Sequence, residues 1–139
     1  FNRLKSDPEM MEPAWMLGAA LKQIETIAKE LTKRPDAIQL TLLNAVPLLD
    51  MVGTCLGAHF LMDQAIIAKE RLAAILAEAG QGTDDKKAYK AFLSDNAEAA
   101  FFHNKIQTAI HFAYRALPTV AAKAAAIRSG EKAPYYAVM

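Results

Sequence analysis

Residues 97–131 carry the feature that most constrains this chain. AEAAFFHNKIQTAIHFAYRALPTVAAKAAAIRSGE holds a helical apolar stripe that runs straight through a proline. The stripe reads Phe102, Ile106, Ala109, Ala113, Leu117, Val120, Ala124 and Ile127, in steps of three and four. Such steps place side chains on one face of an α-helix. Pro118 has no N–H to give, and its ring crowds the preceding turn. Yet the register does not slip across it. The spacing therefore predicts one helix kinked at Pro118, with a break and a new first turn there as the alternative. RSGE closes the helix: Arg128 lies near its negative end and Gly130 at the C-cap. The tail 131–139, with Tyr135 and Tyr136, has no periodicity and is free to dock outside this domain.

The rest of the chain has the same period. Asp7-Pro8 or Glu12-Pro13 opens a first helix, since proline suits a first helical turn. Its apolar positions are Leu17, Leu21, Ile24, Ala28 and Leu31, and KRPD ends it. Asp36 is placed to cap the next helix, an unusually apolar run toward Gly80 with Pro47 inside it. That proline predicts either a kink near Asn44 or two helices meeting there. Gly53 and Gly57 leave a smooth strip for close helix approach. GQGTDD is a loop, and KKAYKAFLS is a short helix with Ala88, Phe92 and Tyr89 facing in. Ser94 or Asp95 is placed to cap the last helix, with DNAE close to a capping box. The fold class expected is all-α: an antiparallel bundle of four main helices in a single domain over 1–139, kinked near Pro47 and Pro118.

Composition narrows the function classes. Sixteen basic and 15 acidic residues give a net charge of +1. That balance provides no electrostatic footprint for nucleic acid and no basic face for an anionic membrane. The single cysteine, Cys55, allows no internal disulfide and fits a reducing compartment. The N-terminal stretch has neither the basic region nor the apolar core of a signal peptide and resembles the interior of a longer chain. Residues 46–62 are short for a membrane span and include Asp50 and His59, so a buried bundle helix is the expected reading.

Tests for chemistry give no constellation. No Glu-x-x-His pair exists, and His103 and His111 are eight apart, about 80° around a helix. Surface or partner-facing histidine is the expected role. Cys55 lies in the most apolar helix, where thiols pack as small hydrophobes. His59 comes four residues after it, but no third orienting group completes a nucleophile site. His59 and Asp63 read as an ordinary intrahelical pair. There is no P-loop and no Gly-x-Gly-x-x-Gly after a strand. No catalytic, cofactor-binding or metal-binding residue is assigned.

The last helix also carries a resemblance. Phe101-Phe102, Lys105-Ile106, Thr108-Ala109, Phe112-Ala113, Leu117-Pro118 and Gly130-Glu131 resemble the signature of the extra C-terminal domain of bacterial acyl-CoA dehydrogenases. This acetyl-CoA dehydrogenase-like C-terminal domain occurs in enzymes of the methylthiopropionyl-CoA dehydrogenase type. Ile110-His111 departs from the family's usual arginine before the second aromatic run. LGAALKQIETIAKEL and LLDMVGTCLGAHFLMDQAIIAKERL resemble the domain's first and central helices. The resemblance implies an accessory domain of a cytoplasmic, oligomeric flavoenzyme of fatty acid metabolism. In such enzymes a glutamate base and FAD oxidise an acyl-CoA thioester at the α,β bond. The base and the flavin contacts belong to the preceding domains, so residues 1–7 would be the linker from them. The fragment alone is then inactive, and its partners are those upstream domains and further copies. Two other readings stay open. One is a free-standing interaction module using Tyr114 and the Tyr135-Tyr136 tail. The other is a bundle that docks on a membrane surface, as the extra domains of some long-chain relatives do.

Overall fold

A computed structural model describes residues 7–137, and among these all regular structure is helical. The helices are α1 (Met11–Thr32), α2 (Ala37–Leu43), α3 (Ala45–Glu78), α4 (Lys86–Asp95), α5 (Ala97–Arg128) and α6 (Ala133–Tyr136). The linker expected at 1–7 lies, except for Asp7, outside the described residues.

Three long helices hold the core. The α3–α5 contact is the most extensive, and α1 packs on both. Cross-contacts fix the directions. Asp50 pairs with Lys123, and the Lys105 ammonium donates to Gln64 at 3.0 Å, so α3 and α5 are antiparallel. Arg128 reaches Glu30 at 2.9 Å, while Tyr114 stands beside Glu12, so α1 and α5 run parallel. Lys69 meets Asp7 at 2.7 Å and Glu9 at 2.6 Å, fastening the far end of α3 to the start of α1. α4 is only 10 residues long and folds back on α5. Tyr89, Phe92 and Leu93 make a satellite cluster there with Leu72, Leu76, Ala99 and Ile106. Ala88, expected to face in, is exposed.

The helix boundaries have local causes. Gly80 adopts φ 63°, which lets Gln81 N–H reach the Leu76 carbonyl at 2.9 Å and Gly80 N–H the Ala77 carbonyl at 3.1 Å. This pair of bonds ends α3 in a Schellman motif. Gly130 (φ 67°) ends α5 at the position expected for its cap. The α2–α3 break falls at Asn44, three residues before Pro47. Pro47 cannot donate to the Leu43 carbonyl, so the ladder fails there, while the backbone N–H and the side chain of Asn44 both donate to the Leu40 carbonyl, at 3.0 and 2.8 Å. Proline inside the first turn of α3 is then harmless. α5, by contrast, continues through Pro118.

Several expected details are replaced. Asn96 caps α5, its side-chain oxygen accepting from Ala99 N–H at 2.9 Å, rather than Ser94 or Asp95. Asp36 makes no side-chain cap; it holds Arg34 at 3.0 Å and Lys132 at 2.6 Å. The buried face of α1 is Ala14, Leu17, Ala20, Ile27 and Leu31, rotated from the expected stripe so that Leu21 and Ala28 are exposed. In the described part of the tail, Tyr135 donates to the Gln39 carbonyl at 3.0 Å, while Tyr136 is exposed.

Candidate interaction surface

α3 is apolar on two opposite sides. Its buried side carries Met51, Cys55, Ala58, Met62, Ala65 and Ala68. Half a turn away are Val46 (78% exposed), Leu49 (73%), Val52, Leu56, Phe60 (59%) and Ile67 (58%). At about 100° per residue, Leu49, Leu56, Phe60 and Ile67 fall on one line down the helix. The expectation that the apolarity of this helix reflects burial on most faces is therefore corrected. The fold uses one side only, and 22% of the most apolar 18-residue window is buried. These six side chains leave open on the order of 700 Å², above the roughly 300–600 Å² of the largest patch on a typical monomer. Beyond Ile67 the outer side turns to Glu70, Arg71, Ala73, Ala74 and Glu78, an ordinary solvent face.

The patch continues into a groove between α1 and α3 of about 390 Å³, walled by Leu17, Leu21, Ile24, Val52, Cys55 and His59. The Cys55 thiol at its floor is pushed up by burial, the opposite of nucleophile activation. His59 lies 3.5 Å from Asp63, the intrahelical pair expected. By length and composition α3 is also apolar enough to cross a membrane. Asp50 lies in that half of the helix, paired with Lys123.

The histidines of α5 part company. His103 is half-buried at the edge of an open groove, and its Nδ1 lies 3.1 Å from the Tyr89 hydroxyl, a hydrogen bond that joins α4 to α5. His111 is exposed. Both lie away from the outer side of α3. Among the described residues no three His, Cys, Asp or Glu groups stand together as a metal site. A second groove of about 550 Å³ lies beside Tyr89 and His103, with Glu9 and Lys69 in its wall. Its Lys69 charge is already met by Asp7 and Glu9. The first groove has no lysine or arginine in its wall to meet a pyrophosphate, while the second carries Lys86 as well as Lys69.

The outer side of α3 is not legible from spacing. Its signal is present as Leu49, Leu56, Phe60 and Ile67, hidden because the buried side is equally apolar.

A family model described as acetyl-CoA dehydrogenase C-terminal like matches residues 2–135 of the 139. Comparison with curated proteins gives no match, and comparison with solved structures gives none. The family match spans nearly the whole chain, including the two-sided helix and the helix that runs through Pro118: the chain belongs to the acetyl-CoA dehydrogenase C-terminal-like family.

Proposed function

We propose that this chain is the helical accessory domain of an FAD-dependent acyl-CoA dehydrogenase and serves domain packing and oligomer assembly. The family match supports the parent enzyme. The single observation that carries the role is the outer side of α3, an apolar strip that stays largely exposed among the described residues. An exposed strip of that size is characteristic of surfaces made for contact. The parent enzyme oxidises acyl-CoA to enoyl-CoA in the cytoplasm. FAD, the base and the acyl-CoA sit in the upstream catalytic domains, and this fragment is inactive alone. Within that setting α4 acts as the fourth helix of an antiparallel bundle. The prolines act as shape devices, Pro47 near the α2–α3 corner and Pro118 bending α5 around the core.

Docking on a membrane is the second reading, favoured by the length and apolarity of α3. The formal net charge of +1 supplies no general attraction to anionic lipid. Liposome flotation separates the two, since only a membrane-docking chain is recovered with lipid.

The product of the complete reading frame, purified without added cofactor, tests the main reading. A flavin absorption spectrum that bleaches with an acyl-CoA is the expected result. A colourless product that folds fully would remove the enzyme-domain reading and leave a helical partner-binding module.

A further inference from the structure

The outer side of α3 has a relief that matches itself. Gly53 and Phe60 lie seven residues apart, so two helical turns separate a gap from a ring on one line. A Cβ added at Gly53 would meet nothing within 4 Å, while Phe60 stands 59% exposed. Val46 and Ile67 flank them at nearly equal distances beyond. We propose that this face pairs α3 with α3 of a second copy of the chain. The two helices run antiparallel about a two-fold axis near Leu56 and Gly57. Each Phe60 then lies over the partner's Gly53, and each Val46 over the partner's Ile67.

Three features favour a second copy over another occupant. A two-fold interface must be self-complementary, with every knob and its hole equally far from the axis. The Gly53–Phe60 and Val46–Ile67 spacings meet that condition about one common point. The open area is also sufficient: on the order of 700 Å² per chain, against roughly 800 Å² per partner in a standard interface. Of the carboxylates at the strip, Asp50 is paired with Lys123 within the chain, and Asp63 has His59 at 3.5 Å as a neighbour that can meet its charge on close approach. The inference rests on the assembly role proposed above and specifies its partner and register.

The G53C/F60C variant of the complete protein tests it. Within one chain these positions are about 10 Å apart, beyond the roughly 7 Å that a disulfide spans. A bond between them therefore joins two copies. Mild oxidation is expected to convert most chains of the double variant to linked pairs on a non-reducing gel, with each single variant at background. Native Cys55 is buried and does not contribute. If the double substitution disturbs folding, Leu56→Cys beside the axis takes its place, linked by a short bismaleimide. Unlinked chains in both tests overturn the pairing and give the face to an upstream domain or to lipid. Visible spectra of the same samples keep the two readings apart. Yellow, unlinked protein overturns the pairing alone, and a colourless linked pair overturns the flavoenzyme reading alone.

Discussion

α3 and α5 are nearly equal in length, 34 and 32 residues, and they pack against each other along most of that length. They treat their outer sides differently. α5 buries Ile106, Ala109, Ala113, Leu117, Val120, Ala124 and Ile127, and shows solvent His111, Arg115, Thr119 and a run of alanines, with Phe101 and Tyr114 as its large exposed apolar groups. α3 buries small residues, two methionines and, toward its C-terminal end, Leu72 and Leu76, and shows solvent valine, leucine, phenylalanine and isoleucine. A helix that only builds a core needs one apolar side. α5 is such a helix. α3 has a second apolar side over 46–67, which the described residues leave largely exposed.

The sharpest way to break this comparison is to substitute the two sides of α3 separately. Met62→Ala on the buried side opens a cavity and should cost about 2–5 kcal/mol in urea unfolding. Phe60→Ser on the outer side should move the unassembled chain by no more than about 0.5 kcal/mol. Similar costs for both would mean that the outer side is part of the core. A smaller loss is expected at the end of α5. Gly130 has φ 67°, and a Cβ there would come within 2.9 Å of the Arg34 guanidinium. Gly130→Ala should cost about 1–2 kcal/mol from the left-handed backbone. A loss below this range would show that the α5 terminus relaxes freely. Asn96→Ala should cost about 1 kcal/mol by leaving the Ala99 N–H uncapped. Hydrogen exchange should then quicken in the first turn of α5 and leave α3 unchanged.

The smallest effect concerns acid. The Arg34 guanidinium and the Lys132 ammonium hold Asp36 well below the usual carboxylate range. Burial pushes Asp7 up, but the Lys69 ammonium together with the Glu9 and Met10 backbone N–H groups outweighs it, and Asp7 ends below its ordinary 3.8. A carboxyl lowered in the fold stabilises above the unfolded pKa, and that contribution disappears as pH falls through the lower folded value. Thermal melts from about pH 5 down to about pH 2 should therefore show a falling limb that Asp36→Asn flattens. An unchanged limb would remove Asp36 from the account of how the α1–α2 corner holds Lys132.

The same contrast explains how much is legible in the residues alone. Seven of the eight stripe positions proposed for α5 are buried, with only Phe102 half-open, because a one-sided helix states its buried face through spacing. The family signature lies on that helix as well. α3 states two faces in one sequence, and period alone cannot say which faces the core. Spacing misplaces the α1 stripe because alanines at 14 and 20 count little in a hydrophobic pattern yet admit α5 closely. Asn96 competes as a cap with its neighbours Ser94 and Asp95, and it prevails because it directly precedes the first helical residue. The tail contacts of Lys132 and Tyr135 join residues 96 apart in sequence, beyond any local rule.

The most direct test of the central claim compares labelling of the two outer sides in the complete protein. Phe60→Cys on α3 and Ala125→Cys on α5 both start from exposed positions in this fold. If α3 is built to be covered and α5 is not, a maleimide should react with F60C far more slowly than with A125C. Equal rates at the two sites would contradict the account, because the second apolar side of α3 would then face water in the working protein.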